Sequence, residues 1–278
     1  MFHYTTKEND MTVEQLLRER WQAGKKTVHE LRMEKGVKDV EGEPLDWRSP
    51  LPTGTRLTFE FPHAPSTYES DHADHLDVIY EDEHILAAVK PAGIATHPAT
   101  PGEKGTFMNQ VIAYVREQGG DYAEHVHRLD KGTSGLILVA KHPIAKALFD
   151  RLLEQGQITR MYVAEVDGEM RRPRGSIHYP IGRDRHHPSK RRVSPSGQSA
   201  TTHFRVIRRT ADSTFVEAEL ETGRTHQIRV HLSHIGHPVK GDTLYDGSET
   251  PDGNYRLTAT KLSFVHPFTG ELTTVELD

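Results

Sequence analysis

The sequence predicts an α+β chain: a mixed, mainly antiparallel sheet flanked by helices and loops, preceded by a small N-terminal module. Three observations lead there. Two amphipathic helical stretches and then two strand-like stretches fill the first sixty or so residues. From residue 78 onward, short apolar or alternating runs are separated by turn signals and interrupted by few helical periods. Two of those runs, TTHFRVIRR and TFVEAELE, follow one another closely and read as an antiparallel pair.

Residues 12–24 read as the first helix. Thr12 with Gln15 makes a capping box, and Val13, Leu16, Leu17 and Trp21 share one face. A second helix starts at Thr27, with Glu30 at the box position, and ends near Gly36. VKDVEGEPLD and TRLTFEF are strand-like and complete a small module over 1–62. Residues 63–76 are polar, lack a hydrophobic period and read as a linker.

Residues 77–278 make the main domain. Residues 78–80 and 85–89 are strands around an acidic turn, and KPAG ends the second, because proline cannot continue a central ladder. Residues 135–141 are a buried strand. HPIAKALFDRLLEQGQ is a helix with Pro143 in its first turn, Ile144, Leu148 and Leu152 on one face, and Gly156 at its end. MYVAEVDG alternates as a strand, with Tyr162, Ala164 and Val166 on one side. GRDRHHPSKRRVSPSGQ reads as a loop. After the turn at Thr222–Gly223, Thr225 caps a helix through Ile235, with Ile228, Leu232 and Ile235 inward and Gly236 and Pro238 as stops.

Bulk composition excludes several classes. The chain has 278 residues, no cysteine and a formal net charge of −5. Without cysteine there is no disulfide framework, thiolate metal site or cysteine nucleophile. The opening MFHYTTKEND lacks the apolar run of a signal peptide, and the longest apolar stretch, Leu136 to Ala140, is too short for a bilayer, so a cytoplasmic chain is expected. The negative net charge alone argues against a polyanionic partner. Charge is unevenly spread, however: between Arg151 and Thr210 there are thirteen Lys and Arg against five Asp and Glu. A basic loop beside a sheet suits a phosphate backbone.

Two segments carry candidate chemistry. In HRLDKGTSGLILVAK, residues 127–141, Asp130 stands between Arg128 and Lys131 at the mouth of a buried strand. Nearby positive charge favours an ionised carboxylate, which on a loop above a rigid strand can be a nucleophile or a general base. The alternative is a surface salt bridge in a tight turn. Gly132 and Gly135 permit close approach, and Thr133 and Ser134 offer groups that fix the loop. In TGRTHQIRVHLSHIGHP, residues 222–238, Arg224 precedes a helix start and Arg229 lies at the edge of the core. A guanidinium there requires a carboxylate, and Asp130 is the candidate. His226, His231, His234 and His237 lack an accompanying carboxylate and any HExxH, so no metal is expected. Ser134 lacks a GxSxG context, and no GxGxxG or GxxxxGK[ST] points to a nucleotide cofactor.

HRLDKGTSGLILVAK resembles the signature of RNA pseudouridine synthases of the RluA/RluD family. TGRTHQIRVHLSHIGHPVKGDTLYDG resembles their second motif, with Asp246 before the expected glycine. ITRMYVAEVDGEM and AVKPAGIATHPA resemble the Tyr-bearing strand and the opening segment. These blocks run in the family's order from Leu76 to about Phe268. The N-terminal module resembles a degenerate alpha-L RNA-binding domain, nearly neutral here with ten bases, among them Arg18, Lys25, Lys26 and Arg32, against eleven acids over residues 1–62.

The resemblance implies the pseudouridine synthase fold and a reaction that detaches uracil from ribose, turns it and rejoins it through carbon, with no cofactor and no metal. It implies that Asp130 is the essential carboxylate, attacking the sugar or taking a sugar proton. Tyr162 stacks on uracil and assists proton removal, and Arg229 pairs with Asp130. Arg128 fills the space an extruded uridine leaves. Lys90, Thr133, Arg224 and His226 shape the pocket or bind RNA. The implied partner is RNA, large-subunit ribosomal RNA first and transfer RNA second, with no membrane and a monomeric enzyme. The competing readings are a non-catalytic RNA-binding or ribosome-assembly factor on the same fold, and a hydrolase built on Ser134.

Overall fold

In the computed structural model, which describes residues 1–61, 65–71 and 76–278, the chain opens with a strand that sequence reading does not assign, β1 (Phe2–Thr5). Phe2 and Tyr4 point inward, but four residues at a terminus make too short a run to stand out. The first helix starts as expected. The Gln15 amide donates to Thr12 Oγ1 and the Thr12 amide donates to Gln15 Oε1. After α1 (Val13–Gln15) the coil widens into a π-helical stretch, Leu16–Arg20. The second helix differs from expectation. α2 (Lys25–Met33) begins after Gly24 without a side-chain cap, so Thr27 and Glu30 lie inside it and form no capping box. β2 (Val37–Lys38) and β3 (Arg56–Phe59) follow, giving a small sheet in the order β1-β3-β2.

Part of the polar segment 63–76 falls outside the described residues. Within 65–71 the chain is tied down: Ser66 Oγ donates to the Ala123 carbonyl (2.9 Å) and Asn109 Nδ2 donates to the Glu69 carbonyl (2.7 Å).

The main sheet is built from β4 (Val78–Glu81), β5 (Ile85–Lys90), β6 (Glu124–His125), β7 (Ser134–Ala140), β8 (Thr159–Asp167) and β9 (Arg174–Ile177). A separate hairpin, β10 (Ile181–Arg183) with β11 (Arg191–Val193), occupies part of the basic segment that reads as loop in the sequence. The sheet is completed by β12 (Thr202–Arg209), β13 (Ser213–Leu220), β14 (Leu257–Val265) and β15 (Leu272–Glu276). The main path is β4-β5-β7-β14-β8-β13-β12-β9, with β6 pairing β7 and β15 pairing β14. Only β7 and β14 pair in parallel; the other described pairs are antiparallel.

This order sets the site. β14 lies between β7, which follows Asp130, and β8, which carries Tyr162. The parallel pair is close: a Cβ on Gly135 would lie 2.2 Å from the Ala259 carbonyl oxygen, and Gly135 has φ +111°. Glycine is required there because of both the contact and the backbone angle.

β5 and β7 are apolar without interruption because both faces are covered. Ile85, Ala87, Leu136 and Leu138 join the N-terminal residues Phe2, Trp21 and Phe59 in one apolar cluster. Leu86, Ala88, Ile137 and Val139 join a second cluster with Tyr162, Ala164 and Val216. α3 (Phe107–Glu117), also unassigned from sequence, packs into the second cluster through Phe107, Val111 and Ile112. α4 (Pro143–Glu154) packs into the first through Ile144, Leu148 and Phe149. α5 (Gln227–His234) has His226, in the left-handed region at φ 60°, at its N-cap position with no side-chain capping bond, where the sequence predicts Thr225. No helix among the described residues is long and apolar enough to cross a membrane.

The N-terminal segment therefore shares its core with the main sheet. Phe2 stacks on His142 at 4.0 Å between centroids and meets Phe268 edge-on. The Ala145 amide donates to His142 Nδ1, so His142 Nε2 carries the proton and donates to His84 Nδ1 at 3.0 Å. Burial pushes His84 down to about 4 and His142 well below 6.5; the neighbouring ring and Lys141 act in the same direction, and Asp82 opposes them. Between pH 6.5 and 4 the unfolded chain thus binds more protons than the folded one. Stability should be full above pH 6.5 and fall as pH drops through that window. Thermal unfolding between pH 7.5 and 4.5 should show this fall. His142→Asn keeps a capping acceptor without titrating and should flatten the curve; an unchanged slope would place the acid sensitivity elsewhere.

Candidate active site

The loop that carries Asp130 is held from two sides. Its own turn closes when the Thr133 amide donates to the Asp130 carbonyl at 3.1 Å. The segment after β5 clamps the rest. Thr96 Oγ1 donates to the Leu129 carbonyl and accepts from the Leu129 amide, at 2.8 and 3.1 Å. The Gly93 amide donates to the Lys131 carbonyl at 2.8 Å. Lys90 Nζ donates to the carbonyls of Pro91, Ile94 and Lys131. Lys90 is fully buried, and burial pushes its ammonium down to about 8 against the opposing pull of Asp130. Lys90 is thus not available to a phosphate; it braces the Asp130 loop from beneath.

Arg229 comes from the first turn of α5. Its Nη1 donates to Asp130 Oδ2 at 2.9 Å. Its other side makes a two-pronged bond with a carboxylate that sequence reading missed: Nε donates to Asp242 Oδ2 at 2.6 Å and Nη2 to Asp242 Oδ1 at 2.8 Å. Nη2 also donates to Tyr255 Oη at 3.0 Å, and the guanidinium carbon lies 4.2 Å from the Tyr255 ring centroid and 4.9 Å from that of Tyr245. Arg229 is 2% exposed, Asp242 0%, and the Asp130 side chain 27%. Burial alone would make Arg229 a stronger acid, but Asp242 and then Asp130 hold its pKa above the ordinary arginine value.

His226 stands next to this pair. Tyr245 Oη accepts the Arg191 amide at 2.8 Å and lies 2.7 Å from His226 Nδ1. With its acceptor side so engaged, the hydroxyl proton is best directed to Nδ1. That leaves Nε2–H facing Asp130 Oδ2 at 3.8 Å, whereas the other tautomer would set a lone pair against a carboxylate. Burial lowers the His226 pKa and outweighs the attraction of Asp130, so the ring is neutral near pH 7. The left-handed backbone at His226 costs about 1–3 kcal/mol, which these contacts hold in place.

The cavity beside these groups has a volume of about 240 Å³. Of the residues singled out from sequence, Arg128, Asp130, Thr133, Tyr162, Arg224, His226 and Arg229 all line it, and Lys90 does not. Tyr162 projects from β8, beside β14, whose Leu257 also reaches the wall. Burial raises the Tyr162 pKa, so its ring is a stacking surface and its hydroxyl stays protonated at neutral pH. Arg128 is exposed at the mouth, with Nη2 3.5 Å from Thr225 Oγ1. Arg224 Nε donates to the Ser199 carbonyl at 3.0 Å. His231 and His237 bond backbone carbonyls of Tyr179 and Asp167, and His234 meets the Tyr179 ring. The cavity also has walls that sequence reading did not single out: His127, Arg160 and Gly223. Their signal was available in part, because His127 and Gly223 lie inside the two quoted motifs and Arg160 is two positions before Tyr162 on an alternating strand.

The model for RNA pseudouridylate synthase matches residues 84–234, and the model for the RluD ribosomal pseudouridine synthase N-terminal domain matches residues 1–57. An uncharacterized RNA pseudouridine synthase of Bacillus subtilis (strain 168), YhcT, is 46% identical over 227 residues, covering 80% of this chain and 75% of the relative. A ribosomal large subunit pseudouridine synthase D of Pseudomonas aeruginosa is 39% identical over 209 residues, covering 75% of this chain and 65% of that protein. Human RNA pseudouridylate synthase domain containing 1 superposes with a TM-score of 0.62 at 24% identity, over 76% of this chain and 86% of that one, which establishes likeness of fold.

The two carboxylates on Arg229 should respond differently to removal. Asp242→Ala strips a fully buried guanidinium of its two-pronged partner, a change of about 3–5 kcal/mol. That corresponds to a fall in Tm on the order of 10 °C. Asp130→Ala leaves that pair intact and should move Tm by only a few degrees. Equal losses in thermal unfolding would make Asp130 a structural counterion like its neighbour.

Proposed function

Because this chain belongs to the RluA/RluD family of RNA pseudouridine synthases, we propose that it isomerises uridine in large-subunit ribosomal RNA, with Asp130 as the reacting carboxylate. The observation that carries the residue assignment is the 2.9 Å bond from buried Arg229 to a carboxylate that faces a cavity beside Tyr162. The relatives named ribosomal large subunit pseudouridine synthase D support the choice of RNA. The cytoplasm is the compartment such a substrate requires, and the monomer suffices because every group invoked belongs to one chain.

The target uridine leaves its stack and enters the cavity, as any base buried in RNA structure must before chemistry on it. Tyr162 offers a flat apolar face to the base. Asp130, with its oxygen fixed by Arg229 and approached by His226 Nε2–H, sits where the sugar arrives. One route forms a bond from its oxygen to C1′ as the C1′–N1 bond breaks; the other removes the C2′ proton as N1 departs. Both need an ionised carboxylate that is aimed rather than free to rotate, and Arg229 supplies the aim. The protonated state of Tyr162 favours stacking over a role as a phenolate base. Arg128 and Arg224, at the mouth, suit the backbone phosphates on either side of the extruded nucleotide. The hairpin of β10 and β11, which carries Arg183, Arg191 and Arg192, is tied to the site through the Arg191 amide on Tyr245 Oη. The N-terminal segment, locked to the main sheet through Phe2 and Trp21, extends a rigid body rather than a tethered one.

Asp130→Asn should abolish pseudouridine formation while leaving the Tm and the RNA affinity close to wild type. Chemical mapping of pseudouridine in ribosomal RNA from cells with and without the protein gives the target. Turnover by Asp130→Asn would remove the aspartate from its role. Tyr162→Phe should retain most of the rate, since the ring remains; a loss beyond tenfold would assign the hydroxyl a proton-transfer step.

A further inference from the structure

Four guanidinium groups line the cavity, those of Arg128, Arg160, Arg224 and Arg229, and Arg160 is the one without a hydrogen-bond or ion-pair partner among the described residues. Arg229 is matched by two carboxylates. Arg160, on β8, is 7% exposed and makes no hydrogen bond or ion pair among the described residues; its Nε is wholly buried. An unpaired buried charge is among the most destabilising features a fold can carry. Arg160 lies two residues before Tyr162, and alternate strand positions share a face, so the two side chains stand side by side on the same wall.

A second unmatched donor lies next to it. His127 is also 7% exposed and lines the cavity. The Leu138 amide donates to its Nε2 at 3.2 Å, so the neutral ring carries its proton on Nδ1, which has no acceptor among the described residues. Burial pushes His127 down to about 3 and the charge of Arg160 acts in the same sense, so the ring stays neutral. The seat for Arg160 is made by a distant segment: a Cβ on Gly223 would lie 2.7 Å from Arg160 Nη1. Glycine at that point of TGRTHQIR leaves room for the guanidinium. Arg160 Nε and His127 Nδ1 are both closed off from the open space, so the groups of this wall that can meet an inserted base are the two Nη nitrogens of Arg160, which have no acceptor among the described residues.

Resting on the function proposed above, we propose that Arg160, through its two Nη nitrogens, binds the two carbonyl oxygens of the target uracil and stabilises the uracil anion while it is detached from the sugar. The balance of the reaction calls for such a group. When C1′–N1 breaks, the bonding pair leaves with the base, giving an anion spread over N1, O2 and O4. Asp130 meanwhile either bonds C1′ or takes the C2′ proton. The free base must then turn before a pair from C5 forms the new bond to C1′, as the bond from C1′ to the Asp130 oxygen breaks or Asp130 returns its proton to C2′, after which C5 loses its proton and N1 gains one. A half-turn about the N3–C6 axis exchanges N1 with C5 and O2 with O4. The two carbonyl positions are thus the same before and after, and one fixed pair of donors serves both ends of the step. A backbone phosphate is the other anion that Arg160 could meet, but the exposed Arg128 suits that role and the enclosed Arg160 suits an inserted base.

The test compares Arg160→Met and Arg160→Lys with wild type on a ribosomal RNA fragment containing the mapped target. Arg160→Met should keep or raise the Tm, since no bond is lost. It should leave RNA affinity and its salt dependence unchanged and lower the single-turnover rate of pseudouridine formation by roughly 10²–10³-fold, the usual effect of removing a donor to a developing anion. Arg160→Lys should recover part of that rate. RNA carrying 5-fluorouridine at the target, whose base departs more readily as an anion but has no C5 proton to lose, is followed by loss of the target nucleoside instead of pseudouridine formation, and that rate should fall less on the substitution than the rate with uridine. A rate within about threefold of wild type overturns the inference. So does a salt-dependence slope reduced by about one, which would make Arg160 a phosphate contact, or a fall in Tm, which would reveal a structural partner. Absence of pseudouridine formation by the wild-type chain on every RNA tried would instead overturn the function on which the inference rests.

Discussion

The guanidinium of Arg229 is the constraint on which the site depends. It is buried, so its charge requires compensation, and two carboxylates provide it from opposite sides. Asp242 takes the geometry that best suits a guanidinium, two parallel bonds at 2.6 and 2.8 Å, and is itself fully buried. Asp130 receives a single bond at 2.9 Å and keeps its remaining surface toward the cavity. This division lets one carboxylate carry structure and the other remain free to react. The rest of the local architecture serves that arrangement. β7 and β14 run in parallel so closely that Gly135 is required, α5 enters with His226 in a strained conformation, and Lys90 supports the Asp130 loop through carbonyls rather than by a salt bridge.

Much of this was legible in the sequence, for reasons that differ by element. The carboxylate, the Tyr-bearing strand and the guanidinium fell in motifs whose order matches a known family, and the need of a core-edge arginine for an acid pointed to Asp130. β5, β7, α4 and β8 stood out because their apolar periods are complete. The family resemblance offers Lys90 as a residue that shapes the pocket or binds RNA. Its ammonium turns inward to three carbonyls, which no local pattern reveals. The basic segment 182–198 looked like loop because its strands are three residues each and strongly charged; pairing between Ile181 and Val193 is a tertiary event. The N-cap position of α5 falls on His226 rather than Thr225 because the helix starts one residue later than a Thr cap would allow.

The elements that sequence reading left unassigned also matter to the site. β14 begins LTATKLSFV, with an alternation too mixed to mark a strand buried between β7 and β8, yet its Leu257 forms cavity wall. Asp242 lies inside the motif TGRTHQIRVHLSHIGHPVKGDTLYDG, thirteen residues after Arg229, and nothing in its local pattern marks it as the second carboxylate. A fully buried arginine with five N–H donors needs more than one acceptor, and counting donors would have led to Asp242 and Tyr255. The N-terminal segment illustrates the converse. Its helical periods and strands suggested a self-contained unit, whereas Phe2, Trp21 and Phe59 complete an apolar layer that includes Ile85 and Leu138. A patch that buries against a neighbour has the same sequence pattern as one that buries against itself.

The guanidiniums of Arg229 and Arg160 together give the cavity a direction. At one end the group nearest the open space is the Asp130 oxygen, with Arg229, Asp242 and Lys90 all more deeply buried behind it. At the other end is Arg160, with no carboxylate beside it. Breaking C1′–N1 separates charge in the corresponding sense, since the sugar becomes electron-poor as the base becomes electron-rich. In water, solvent would reorganise around both fragments; here the sugar faces a fixed negative oxygen and the base, with Arg160 in the role inferred for it, faces a fixed positive group. The unpaired charge that destabilises the folded chain is then compensated only when the bond is broken. Interactions of that kind lower the barrier rather than merely tightening the ground-state complex. Burial keeps the His127 and Tyr162 rings neutral, and their neutrality suits the same polarity. A protonated His127 would crowd the positive end, and an ionised Tyr162 would place a second negative charge where the departing base must lie.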